Sequence, residues 1–313
     1  MSESDLYFGL FGQSQKNTLD EAISKFKSSI EPSDRQVTTV SERQEGVRKR
    51  ILSNSNFDIE RIVLHGSYAR DTQIKPLPDT ALLFYHEKEF VDVDSLLILE
   101  NTQKNLEKYW YVNDGGTKAL NDLRMSLEGY QGTSVKVDRP AVSVNWVGMK
   151  KEISPAFNAK GGGFLIPSRT HGGNWIHTDP LKDAEVLTNA NKARKGEIKP
   201  LTKMMKSWNR NIGDVLESFA VETSVYHSTN DFSNIPDGIH NFFENIVQWN
   251  GKSLNTPSGI GQPIPIRIED YQIETIKRNM AIFTLARQSF YRGDYQSAVR
   301  YFGMVFGKPF PGA

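Results

Sequence analysis

Between Arg61 and His86 the chain reads RIVLHGSYARDTQIKPLPDTALLFYH, and this stretch holds the residues best suited to chemistry. Ile62-Val63-Leu64 is an apolar strand that runs into His65-Gly66-Ser67. A glycine there lets backbone amides approach a ligand closely. Ser67 opens a short helical stretch whose first N–H groups have no partner within the helix, so the Gly66-Ser67 turn is an anion site by geometry. Past Lys75-Pro76-Leu77-Pro78, a second strand runs Asp79-Thr80-Ala81-Leu82-Leu83-Phe84. Residues two apart on a strand share a face, so Asp79 and Ala81 point the same way.

The elements that must position these residues change character along the chain. Helical spacing marks residues 17–30 and about 33–52, with Asn17 and Ser33 as N-caps. After the two strands, helices are expected over 93–109 and 117–129. Strands are expected over 134–139 and 141–146, or as one strand broken at Pro140, and over 151–157 and 164–167, with a loop at 168–180. From Leu181 onward the pattern is helical, over 181–194, 197–212, 214–226, 237–250, 268–290 and 294–306. The Gly- and Pro-rich segment 251–267 is expected to be the most flexible, and the tail GKPFPGA poorly ordered.

At 313 residues the chain can bury a large core and hold two subdomains. It carries 38 basic and 37 acidic residues, a net charge of +1, which gives no global argument for long nucleic acid or an anionic membrane. Without cysteine it has neither disulfides nor thiolate metal sites. The six histidines show no metal-ligand spacing. No secretory leader and no membrane-spanning run is legible, so a soluble cytoplasmic protein is expected.

Strand, Gly-Ser turn, short helix and a strand bearing Asp-x-x resemble the polymerase β-like nucleotidyltransferase superfamily. Further motifs narrow the resemblance. KKEISPAFN (150–158) is similar to an acid-bearing strand lying beside the Asp-x-Asp strand, and LTKMMKSWNR (201–210) to a helix whose lysine reaches a triphosphate. ESFAVE (217–222) is similar to a segment whose serine contacts phosphates. Together with GGGFLIP and NW-x-x-TDP, the chain resembles the bacterial cGAS/DncV-like nucleotidyltransferases, or CD-NTases. The resemblance implies an α+β fold: a polymerase β-like core of mixed twisted sheet and flanking helices, then a C-terminal helical subdomain completing a nucleotide cleft. The expected divisions are 1–180, 181–306 and a flexible tail 307–313.

It further implies condensation of nucleoside triphosphates into a cyclic di- or trinucleotide messenger of anti-phage (CBASS) signalling. Gly66, Ser67, Lys206 and Ser218 are the expected nucleotide-binding residues. Two Mg²⁺ ions, or Mn²⁺, are expected on Asp79, position 81 and Glu152, with Asp138 the rival for the third carboxylate. The pattern departs at two places: Ala81 stands where it carries aspartate, and Asp71 where it carries glycine. Ala81 reads either as a deliberate replacement that stops turnover or as the mark of a natural pseudoenzyme; the retention of every other motif favours the first. Some such chains are joined through a terminal Gly or Ala by ubiquitin-like E1/E2-type enzymes. Phe310-Pro311-Gly312-Ala313 fits that, and fits a frayed terminus equally. Competing readings are a template-independent transferase acting on RNA or a small molecule, and a non-catalytic nucleotide-binding scaffold.

Overall fold

A computed structural model describes residues 18–54, 59–75, 95–101, 109, 113–130, 134–138, 140–146, 149–159, 162–168, 175–229 and 232–311. Two helices open it, α1 (18–30) and α2 (Asp34–Asn54). The strands β1 (Ile59–Gly66), β2 (Ser95–Asn101), β3 (Ser134–Asp138), β4 (Ala141–Trp146) and β5 (Met149–Asn158) lie in the order β1-β2-β5-β4-β3. Two further strands, β6 (Phe164–Pro167) and β7 (Trp175–Thr178), extend the same sheet from β5. The pairing is mixed: β2 runs antiparallel to β1 and parallel to β5, while β5 runs antiparallel to β4.

Alternation along the strands divides the sheet into two faces. Val142, Val144, Ile153 and Phe157 pack on Val47 and Ile51 of α2 and on Leu120 and Leu123 of α4 (Gly115–Leu127). Each such side chain, fully buried, contributes roughly 1.5–3 kcal/mol. Glu152 and Ser143, one residue out of phase, therefore take the opposite face.

The helix expected over 93–109 is corrected, because residues 95–101 form a central strand paired on both sides. The run Leu96-Leu97-Ile98-Leu99 has no period that separates helix from buried strand. Two ladders of backbone hydrogen bonds outweigh the helical preference of leucine, which is worth only tenths of a kcal/mol per residue. The strand expected at 79–84 lies outside the described residues. The neighbour that the acid-bearing β5 takes on this side is β2.

Lys151 faces α2, is fully buried, and donates to Gln44 Oε1 at 3.2 Å. Desolvation pushes its ammonium down from 10.5 to about 8. Between those values the unfolded chain holds a proton that the folded chain has released, so stability rises with pH from 8 to 10.5. Below pH 8 the whole penalty applies, about 3 kcal/mol from the unit-by-unit relation. Lys151→Met should add roughly 1–3 kcal/mol at pH 7 and abolish the alkaline rise. Urea unfolding at pH 7 and pH 10 checks this; parallel pH dependence in the two proteins would refute it.

The second half is helical: α5 (Pro180–Ala193), α6 (Ile198–Asn211), α7 (Ser218–Ser228), α8 (Ile235–Trp249), α9 (Asp270–Tyr291) and α10 (Tyr295–Phe306). Its core is aromatic, with Trp208 edge-on to Phe243 at 5.0 Å and Phe283 to Phe302 at 4.8 Å. The helix α1 joins this core rather than the sheet, through Leu19, Phe26 and Ile30.

Two expectations of disorder are corrected. Phe310 is 1% exposed, stacks near Phe26 and Phe306, and Ser29 donates to the carbonyl of Pro309 at 3.1 Å. An aromatic side chain burying its area against two others outweighs the entropy of three or four terminal residues. Segment 251–267 is held by the short ladder of β8 (Ser253–Leu254) and β9 (Ile264–Pro265) and by the fully buried Ile266. Residues 312 and 313 lie outside the described residues.

Candidate nucleotide site

The end of β1 has the geometry that the turn requires. Gly66 sits at φ 90°, ψ −169°, a region that a side chain disfavours. Ser67 starts the single helical turn α3 (Ser67–Arg70), and Thr72 folds back with its N–H on the Ser67 carbonyl at 2.9 Å. Ser67 itself is only 3% exposed. Asp71 closes the turn in the left-handed region, φ 55°, which explains glycine in the pattern. Aspartate tolerates that conformation, and here its carboxylate also receives Lys203 at 3.2 Å and Lys199 at 3.6 Å.

One face of α6 clasps this segment along its length. Besides Lys199 and Lys203 on Asp71, Arg210 donates to the Ile74 and Lys75 carbonyls. Lys206, between them, is 5% exposed and lies 3.5 Å from Thr72 Oγ1, one residue contact away from the Ser67 carbonyl. Lys206 Nζ also donates to Glu222 Oε1 at 2.6 Å.

Glu222 is the hub. It is 1% exposed and accepts from Arg70 through Nε at 2.6 Å and Nη2 at 3.1 Å, in addition to Lys206. Burial would raise this carboxyl, but Arg70 and Lys206 override it and hold the group down at about 2. Half-buried His65 is kept neutral, first by desolvation and then by Arg70. Arg70 also lies 4.9 Å over the Phe219 ring, so the start of α7, with half-buried Ser218, is drawn to the same place.

On the sheet, Glu152 pairs across β2 with Leu96, which in turn pairs with His65. Paired residues share a face, so Glu152 stands on the His65 side, one row from the Gly66-Ser67 turn. Asp138 occupies the same face on β3. Lys150 bridges the two acids, 2.6 Å from Glu152 and 2.8 Å from Asp138. Asp138 also accepts a bond from the Ser143 hydroxyl at 3.3 Å. Lys150, foremost through its hydrogen bond, lowers the Asp138 carboxyl below its ordinary value.

The structure thus brings together Gly66, Ser67, Lys206 and the start of α7, and it puts Glu152 on the same sheet face. Asp79, Ala81 and Ala313 lie outside the described residues. Among the described residues no three acids or histidines cluster as a metal site. A cavity of about 640 Å³ lies elsewhere, between α1, the α5–α6 connection and the start of α8, and contains none of the predicted site residues. Sequence reasoning missed Arg70 and Glu222. The signal for Glu222 was a lone acid inside SFAVETSV, a helix with few other charges, where a carboxylate needs a buried cation.

A mixed sheet ending in a Gly-Ser turn, with an acid-bearing strand beside it and a basic helix across it, is the arrangement of a polymerase β-like nucleotidyltransferase. The profile of the Second Messenger Oligonucleotide or Dinucleotide Synthetase domain matches residues 18–191, and the chain belongs to this family, the CD-NTases of cGAS/DncV type. It is 25% identical over 229 residues to a cyclic AMP-AMP-AMP synthase of Acinetobacter sp., a match covering 70% of this chain and 62% of that protein. It is 27% identical over 281 residues to a probable cyclic nucleotide synthase of Bacillus cereus, covering 80% and 82%. The fold is that of Escherichia coli MS115-1 CdnC, solved with ATP, at a TM-score of 0.62, 16% identity and coverage of 93% and 98%. Bradyrhizobium diazoefficiens CdnG, solved with GTP, gives a TM-score of 0.65 at 12% identity, covering 93% and 95%. Among the described residues no helix is long and apolar enough to cross a membrane.

Proposed function

We propose that this chain is a cytoplasmic nucleotidyltransferase whose architecture condenses nucleoside triphosphates into a cyclic di- or trinucleotide messenger for anti-phage signalling, with turnover blocked by Ala81. The observation that carries the reading is the convergence of the Gly66-Ser67 turn, Lys206 and the start of α7 around one buried carboxylate. In this reading Ser67 and Lys206 hold the terminal phosphates, Ser218 lies beside them, and the sheet face bearing Glu152 receives the reacting end. Holding two triphosphates in register supplies much of the rate, because orientation converts an encounter into a unimolecular step.

The carboxylates fit a divalent cation in one respect: Glu152 and Asp138 converge on a single positive charge, the Lys150 ammonium, with oxygen donors that suit Mg²⁺ or Mn²⁺. Asp79 and Glu152 would hold the ions with substrate phosphates, Asp138 standing next to them. Bound there, the ions would activate the attacking ribose hydroxyl and neutralise the leaving pyrophosphate.

Titration calorimetry with ATP and GTP in Mg²⁺ tests the site in the chain as it stands. Lys206→Gln should weaken triphosphate binding by about 10–100-fold, the worth of a charge-assisted bond. Unchanged affinity would overturn the assignment. Ala81 is the observation that favours the second reading, a nucleotide-binding member without turnover. Conjugation of Ala313 by an E1/E2-type pair belongs to the proposal too. Intact mass after incubation with such a pair tests it, and an unchanged mass would dismiss it.

A further inference from the structure

The sheet face that bears Glu152 carries cations of its own. Glu152 on β5 pairs with Ser143 on β4, which pairs with Lys136 on β3. Asp138 and Lys150 stand on the same face, each two residues along its strand from that row. Among the described residues of β3 to β5, this face therefore has two carboxylates, Glu152 and Asp138, and two ammonium groups, Lys150 and the exposed Lys136. Lys150 Nζ is the group that touches both acids, 2.6 Å from Glu152 Oε1 and 2.8 Å from Asp138 Oδ2. All three members of this bridge meet water: Lys150 is 44% exposed, Glu152 35% and Asp138 57%. Water screens so open a pair, which adds little to stability and breaks readily. What the contact changes is the charge at Glu152. An ammonium at hydrogen-bond distance takes one of the carboxylate's acceptor directions and repels any second cation that approaches.

We propose that Lys150 is a positioning residue for Glu152 and its resident counter-charge. It holds Glu152 and Asp138 turned toward one point, and a divalent cation binds Glu152 only by displacing it. The face then binds Mg²⁺ or Mn²⁺ more weakly than its carboxylates alone would. The lysine suits this part, because its charge is compact and its four-carbon stem lets it swing away without moving the strand. The inference rests on the reading of Glu152 as a metal ligand.

The test is Mn²⁺ binding to the full chain without nucleotide, followed by electron paramagnetic resonance of the free ion. Lys150→Met should bind Mn²⁺ about tenfold more tightly, the size expected when a unit charge about 4 Å from a dication is removed in a partly screened site. Lys150→Arg keeps the charge and should stay within about threefold of the unmodified chain. Adding Glu152→Gln to Lys150→Met should cancel the gain. Damage to the fold weakens binding, so a tighter variant is not a misfolded one. Equal or weaker Mn²⁺ affinity in Lys150→Met, or a gain that survives Glu152→Gln, would overturn the proposal. Glu152→Gln alone separates the two layers. If it lowers Mn²⁺ affinity while Lys150→Met changes nothing, only this inference falls. If it leaves Mn²⁺ affinity unchanged, or if neither the unmodified chain nor Lys150→Met binds the ion, Glu152 is not a metal ligand and both readings fall.

Discussion

Ala81→Asp is expected to raise pyrophosphate release from nucleoside triphosphates in Mg²⁺ by about 10²–10⁴-fold. The estimate follows from the several kcal/mol that a carboxylate ligand contributes where charge develops in phosphoryl transfer, at 1.4 kcal/mol per factor of ten. In the proposed site a carboxylate at position 81 would join Asp79 as a ligand, whereas the methyl group of alanine cannot bind a hard cation. Nucleotide affinity should change far less than rate, because the Ser67 turn and Lys206 are untouched. A coupled pyrophosphate assay gives the rate, and mass spectrometry of phosphatase-treated product gives the chemistry. A phosphatase-resistant cyclic oligonucleotide supports the proposed function. A product found only when RNA or a small-molecule acceptor is added would replace it with a transferase of that acceptor. No turnover, with triphosphate still bound, would identify a nucleotide-binding scaffold.

Removing Glu222 should have the largest effect on stability. Glu222→Ala removes the carboxylate that two buried cations share, and breaking a buried pair from one side costs about 3–5 kcal/mol. The acid limb provides a second reading of the same interaction. In the folded chain the carboxyl titrates at about 2 against 4.5 when unpaired, so its contribution is complete above pH 4.5 and is lost as pH falls towards 2. The difference corresponds to about 3 kcal/mol. Urea unfolding at pH 7 and pH 3 should therefore show a smaller pH effect in Glu222→Gln than in the unmodified chain. Arg70→Met, Glu222→Leu and Lys206→Met combined should be more stable than Glu222→Ala, since no charge is then stranded. A Glu222→Ala protein within 1 kcal/mol of the parent would show that the cluster is not held as a closed ion network.

The two ends of the chain's chemistry differ in how they could be read. The Gly66-Ser67 turn was legible because its signals are local: a backbone conformation that only glycine adopts freely, and helix N–H groups that follow from chain direction. Lys206 was legible by resemblance alone; on spacing it is one of three lysines on a basic helix face. The structure separates them by contact, sending Lys199 and Lys203 to Asp71 and Lys206 to Glu222. The helices of the second half were legible in the sequence, while the short strand pair within 251–267 was not. Strand 95–101 was not, because an apolar run without period takes its form from its neighbours.

By itself the sequence determined most of the helices and strands, the Gly66-Ser67 turn, the acid on the Pro-Ala-Phe strand and the anomaly at Ala81. These are matters of residue type and short spacing, which act over a few bonds. Only the tertiary structure decided that Arg70, 152 positions from Glu222, is its partner, that Lys150 joins Asp138 to Glu152, and that the C-terminal Phe310 closes the helical core. Burial makes these choices. A charge removed from water must find an opposite charge wherever the fold brings one, and an aromatic ring must find a surface, and neither need is written in the residues beside it.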